Sequence, residues 1–384
     1  MVDAAATTHQ YKKDATIAVV GGGIGGVLTA IGLGKQGYEV HLFEQAQKFS
    51  EIGAGIAIYI ENFDNSLEAS EDATVTAGVK ELSLNRNGDD ERHDTQGKSR
   101  TRGVRLHIDK PARDAHPDYP SEPTVFECDL CIGCDGVKSA VRKALDLGGT
   151  VRYTGSYAYR GLLPMDKAVE LCGEDIRLPK MWLGDQKHIL TFPIEGGSIL
   201  NMVAFVSDRS KPEDQREFHG PWVAPSSLQE MQKDYQGWDH MVTELFPLIE
   251  KPEHWALHDL LPLDTWIKGR VALLGDASLP HNGAGAGQAI EDALLLGEIF
   301  KHPGCNADTM PEFLKVWEEI RLPRANKQMV HSRRSGDLYE FASEYGNDYA
   351  KMGKEMETRW DWIWDHDHEA DIERAYALLK ERGF

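Results

Sequence analysis

Three stretches of this 384-residue chain hold residues spaced for chemistry on a phosphorylated ligand. In the first, Thr16 to Val20 is a short β-branched run followed at once by GGGIGG. The segment VLTAIGLGKQG comes next, with Leu28, Ile31 and Leu33 set among small residues, so the order reads strand, turn, helix. Gly21 permits the tight turn, Gly23 lets the backbone approach a pyrophosphate, and Gly26 lets the helix lie close on the strand. Free amides at the helix start then face the phosphates. A second strand, Glu39 to Phe43, ends in Glu44, at the distance expected of a carboxylate that accepts hydrogen bonds from ribose hydroxyls. Together these predict a dinucleotide-binding unit and leave FAD and NAD both open.

The other two stretches share a form. Residues 128 to 142 read CDLCIGCDGVKSAVR, an apolar strand running into Asp135-Gly136 and a helix with Ser139 and Arg142. Residues 270 to 293 read RVALLGDASLPHNGAGAGQAIEDA, a strand into Gly275-Asp276, a glycine-rich loop and a helix opening near Gln288. Cys128, Cys131 and Cys134 have a metal-like spacing, but on one strand alternate side chains point to opposite faces, so no metal is expected there. His366 and His368, two apart on an expected helix, should likewise not face each other and read as a solvated face.

These motifs, in this order, resemble the FAD-dependent aromatic-ring monooxygenases. The stretches YTGSYAYRGLLPM (153–165), FPIEGGSILNMVAF (192–205) and RWDWIWDHDHEADIERA (359–375) resemble the salicylate-hydroxylase-like branch, including fungal members. The resemblance covers about four fifths of the chain. It implies FAD as the cofactor, with NADH or NADPH admitted transiently as co-substrate, and O2 and a small aromatic acid as the other reactants. Asp276 would accept from ribose or ribityl hydroxyls, Pro280 would lie near the flavin ring, and Gly283, Gly285, Ala286 and Gly287 would offer amides to the N1/O2 edge. Charge develops at that edge on reduction, and a helix start adds roughly half a positive charge there. Asp135, Gly136 and Arg142 would brace the pyrophosphate and the passing nicotinamide. No second dinucleotide fold is visible, unlike the disulfide-reductase type of flavoenzyme.

These motifs need a scaffold, and the length suffices for two cores. The expected class is α/β: a Rossmann-like FAD-binding domain with a mixed-sheet substrate domain and a helical C-terminus. The boundaries are 14–155 with 268–330 for the first, 156–267 for the second and 331–384 for the third. In the middle domain HILTFPI and ILNMVAFV alternate as strands, and Arg160, His188 and Asn201 are the candidates to contact substrate. In the tail, Trp360, Ile363 and Trp364 form a stripe expected to pack into a core.

Composition narrows the partners. With 41% hydrophobic and 27% charged residues and no apolar run near the roughly 20 residues of a membrane helix, a membrane is not an expected partner. A net charge of −20 argues against nucleic acid. Five sparse cysteines suit a reducing compartment, and Met1 to Lys13 read as a polar tail without a leader's pattern. The cytosol is the expected location, and a homodimer the expected assembly.

Two departures from the family pattern stand out. After Gly53-Ala-Gly-Ile56 the family has a long helix and then an HRxxL-like segment whose Arg contacts the cofactor phosphates. Here residues 57–103 are polar and turn-rich, with the composition of a poorly packed loop, and the chain is shorter by several tens of residues. In the flavin loop Leu279 stands where the family has His, and Pro280 comes about three residues early. An active hydroxylase therefore competes with a shortened, weakly FAD-binding relative and with a flavin oxidase or dehydrogenase on the same fold.

Overall fold

The computed structural model describes residues 13–44, 73–77, 81–83, 92–93, 99–100, 103–108, 124–280 and 285–384. Strand Thr16–Val20 is fully buried, as its unbroken apolar run demands of a parallel sheet covered on both faces. It pairs in parallel with Glu39–Glu44 on one side and Leu130–Gly133 on the other. The sheet runs in the order Ile267–Lys268, Val271–Leu273, Leu130–Gly133, Thr16–Val20, Glu39–Glu44, Ala73–Ala77, with only the first of these antiparallel. All three motif strands are therefore immediate neighbours. The stretch 57–103, read as a loop, contributes the last of these strands, where three consecutive β-branched residues, Thr74 to Thr76, favour extension. Most of its remainder, and Gly53 to Ile56, lie outside the described residues.

The second sheet is antiparallel throughout, in the order Lys180–Gly184, Lys187–Ile194, Ile199–Ser207, Val151–Pro164, Glu253–Leu260, Val223–Pro225. One face carries Tyr159, Leu163, Ile189, Leu200, Met202 and Ala204, buried against Met165, Ala168, Met231 and Phe246 from the short helices beside it. The first five residues of strand Val151–Pro164 fall inside the stretch assigned to the cofactor domain, and strand Ile267–Lys268 joins the first sheet.

Helix Ile24–Lys35 packs along helix Gly285–Phe300 with Gly32 facing Gly297, where a Cβ on either would lie 3.6–3.7 Å from the other's Cα, in ordinary van der Waals contact. A 30-residue helix, Met310–Tyr339, then runs from the first sheet's core to the second sheet. Trp266 and Trp317 are buried together at its near end. The expected tail stripe is corrected: Asp361–Trp364 is a single turn, too short to present a face, and Trp364 is 75% exposed. Trp362 packs instead, under the cations of Arg324 and Lys327. No described helix is long and apolar enough to cross a membrane.

Candidate active site

The adjacent strand ends are tied by backbone bonds. The Gly21 amide donates to the Phe43 carbonyl, the Cys134 amide to Val20, and the Leu274 amide to Gly133. Gly21 has φ +107°, and a Cβ there would lie 2.3 Å from the Cys134 carbonyl oxygen. A Cβ on Gly26 would lie 1.9 Å from the Gly21 oxygen, so only glycine lets the helix sit on its own turn. Gly23 differs: a Cβ there would meet nothing within 4 Å. The helix it opens has no side-chain cap and no acid in its first turn. Open space before uncapped amides fits a pyrophosphate. Glu44 Oε2 accepts from the Gly22 amide at 2.5 Å, which fixes that carboxylate at the rim of the same space.

The second motif is turned inward. Asp135 Oδ1 accepts from the Ser139 hydroxyl at 2.5 Å, and Oδ2 from the amides of Ala140 and Val141 at 2.6 and 3.1 Å. Burial pushes its carboxyl up against the pull of these bonds. Ser139 in turn accepts from the Arg142 amide at 2.8 Å and caps helix Ala140–Leu145. Arg142 is buried and donates to the Ala277 carbonyl at 2.7 Å and the Val137 carbonyl at 2.5 Å, bridging the second loop to the third. Gly136, with φ +76°, makes the turn between strand and cap. The cysteine stretch is not one strand: Cys128 ends Thr124–Cys128, and Asp129, bonded to the Thr16 amide, separates it from Leu130–Gly133. All five cysteines are free thiols.

In the third loop Asp276 is exposed at the tip, while Gly275, Ala277, Ser278, Leu279 and Pro280 are buried. Leu279 fills core in the place where the family has His. Gly283 lies outside the described residues. The helix begins at Gly285, three residues before the expected opening, and Gly285, Ala286 and Gly287 form its accessible first turn.

A buried ionic network absent from the motif reading holds this helix. Arg321, 1% exposed, donates through Nε to Asp292 at 2.8 Å, through Nη1 to Glu291 at 2.6 Å and through Nη2 to Gln288 at 3.0 Å. Arg324 grips Glu291 with two bonds of 2.6 and 2.8 Å. Burial alone would raise the Glu291 carboxyl, but Arg324 and Arg321 outweigh it and hold it at about 2. Asp292 Oδ2 accepts from the Gly275 amide at 3.2 Å, so the network reaches the flavin loop. The one local signal is that Arg321 and Arg324, three residues apart, share a helix face.

The reading of His366 and His368 as a solvated face is corrected here. Asp367 caps a helix that starts at His368, which leaves His366 in the turn before it. The rings stand 4.8 Å apart, His366 Nε2 is 2.7 Å from Asp371 Oδ2, and burial lowers His368. Glu291 joins them to make a group of three metal-type ligands. Its carboxylate is already claimed by two arginines, whose charges oppose a cation.

On the second sheet, alternation puts Arg160, His188 and Asn201 on the face opposite the helix-covered core. Leu162, Leu190, Phe192, Val203 and Phe205 share it, and all are half-buried or exposed, so this face is half open. The Arg160 guanidinium lies 4.7 Å from the Trp255 ring, with its pKa lowered by burial. His188 stacks on Phe205 with centroids 4.2 Å apart, and its Nδ1 is 3.0 Å from Glu340 Oε1. Arg209 bonds the same Glu340 and Asp337, so His188 belongs to a clamp on the end of the long helix. Asn201 is 1% exposed, and its Oδ1 has no hydrogen-bond partner among the described residues.

A cofactor cradle on a parallel sheet beside an antiparallel sheet has counterparts in known proteins. Residues 91–332 match the FAD-binding domain family, and residues 19–51 match the NAD(P)-binding Rossmann-like domain. A salicylate hydroxylase of Pseudomonas putida is 34% identical, with 96% of each chain covered. A 6-methylsalicylate 1-monooxygenase of Aspergillus terreus is 32% identical over 97% of this chain and 94% of its own. The solved structure of a salicylate hydroxylase substrate complex superposes with a TM-score of 0.75 at 30% identity, covering 94% of this chain and 98% of the other. This chain belongs to the FAD-binding monooxygenase family, with salicylate hydroxylases among its homologues, and is an oxidoreductase. The first of these alignments spans 418 positions against a chain of 384, so part of the relative has no counterpart here.

Proposed function

We propose that this enzyme hydroxylates a phenolic or heteroaromatic acid of the salicylate type, with NADH or NADPH as reductant and O2 as the oxygen source. The observation that carries the reading is the half-open sheet face, where Arg160 and Asn201 stand among apolar side chains in a chain that also holds the cofactor cradle. Bound FAD supplies the redox and oxygen chemistry. The chain's own groups bind and orient. Residues 14–155 with 268–330 hold the cofactor, and residues 156–267 the substrate. Gly23 and the amides after it take the pyrophosphate, Glu44 the ribose, and Asp276 the ribityl chain.

The first turn at Gly285, Ala286 and Gly287 stabilises negative charge beside it, with Pro280 against the ring. Arg160 supplies the positive charge for a substrate carboxylate, and its placement over Trp255 keeps the guanidinium near an apolar wall. His188 acts by position, holding Phe205. Asp135, Gly136 and Arg142 set the distance between the loops. A cytosolic homodimer belongs to the same reading, checked by cell fractionation and by mass in solution.

A second reading, a relative with weakened FAD binding, is favoured by Leu279 filling core within the flavin loop. The visible spectrum of the purified protein, followed by NADH oxidation with and without salicylate, separates the two. A flavin spectrum with salicylate-stimulated turnover supports the hydroxylase. A colourless protein that FAD cannot reconstitute overturns it.

A further inference from the structure

A buried acceptor without a donor is costly, because it gives up its water and receives nothing in exchange. Among the described residues of the half-open face, Asn201 is such a group: 1% exposed, with Oδ1 unpartnered. Its two cross-strand neighbours, Leu162 and Phe192, are apolar and supply no hydrogen-bond donor. Leu162 is 49% exposed, so the ground beside Asn201 is open to a ligand. Arg160 lies two residues along the neighbouring strand from Leu162, a diagonal position about 7–8 Å from Asn201.

We infer that Asn201 is a specificity-determining residue of this enzyme, its Oδ1 accepting a hydrogen bond from a hydroxyl carried on the substrate ring. The inference rests on the proposed function and goes further, because it names the substituent the site reads. A ring that bears a hydroxyl beside its carboxylate reaches both Asn201 and Arg160. A ring with a methoxy group in that place has no proton to give and leaves the acceptor as empty-handed as before. Sites built to hydrogen-bond a hydroxyl reject analogues that lack it far more strongly than apolar pockets discriminate by size.

The test uses the FAD-loaded enzyme and follows the change in flavin absorbance as salicylate, 2-methoxybenzoate or benzoate is added. The native enzyme should prefer salicylate over 2-methoxybenzoate by roughly 10- to 100-fold. Asn201→Leu, of similar volume and without an orphan acceptor, should erase that preference while its melting temperature holds or rises. Asn201→Thr, which suits a strand and keeps an accepting oxygen, should restore part of it. An unchanged preference in Asn201→Leu overturns the inference while leaving the proposed function standing, and a lowered melting temperature with the preference intact does the same by marking Asn201 as structural. If the native enzyme binds none of the three rings, the functional reading fails, and this inference falls with it.

Discussion

Arg321 Nε stands 2.8 Å from Asp292 Oδ1, and the other oxygen of the same carboxylate receives the Gly275 amide. A single buried carboxylate thus joins the long helix to the start of the loop that carries Asp276. Both partners are almost completely inaccessible, so neither charge can turn to water if the other is removed.

Removing one side of this pair should therefore be worse than removing both. Arg321→Ala is expected to cost about 3–5 kcal/mol in chemical denaturation and to release FAD. Arg321→Met with Asp292→Leu should recover part of the stability, but not the placement of the Gly275 amide. Unfolding curves report the first outcome and flavin fluorescence the second.

The glycines of the first motif separate folding from binding. Gly26→Ala drives a methyl group into the Gly21 carbonyl and should cost about 3 kcal/mol or more. Gly23→Ala places its methyl in open space. It should leave the melting temperature of the cofactor-free protein unchanged and weaken FAD binding, as read by titration of fluorescence quenching.

Asp135 is expected to act as a cap. Three donors from Ser139, Ala140 and Val141 converge on it. Asp135→Ala should lower stability by about 1–2 kcal/mol, with and without FAD alike. A loss confined to the FAD-loaded protein would instead make Asp135 a cofactor ligand.

Acid should weaken the protein in two stages. Glu291 is held at about 2 against an ordinary 4.5, so its contribution is fully present above the ordinary value and lost as pH falls towards 2. The amount is about 3 kcal/mol. Burial lowers His368 from 6.5, so the folded state prefers it neutral, and stability present above that value declines as pH falls through its folded pKa. Melting temperatures from pH 8 to 2 should show both slopes. Glu291→Gln should flatten the lower one.

What could be read in the sequence was local. Thr16 to Glu44 declare their structure because strand, tight turn and helix follow one another and each residue's role depends on near neighbours. Arg321 and Asp292 are 29 residues apart on two helices, and no periodicity announces that they meet. His366 lies in the turn before the helix rather than on it, and Asp367, a good N-cap, marks the start. The orphaned Asn201 oxygen could not be read from sequence at all, since it depends on what every neighbour fails to offer.

Helix Met310–Tyr339 holds Asp292 through Arg321 and clamps His188 through Glu340. The two attachment points are 19 residues apart, about 28 Å along the axis at 1.5 Å per residue. The helix is thereby a ruler between cofactor and substrate sheet, with markings in angle as well as length. A single inserted residue between them would turn Glu340 by about 100° and aim it away from His188. Natural length variation should therefore fall outside this helix, and an indel in it should disable an enzyme in which every motif remained intact.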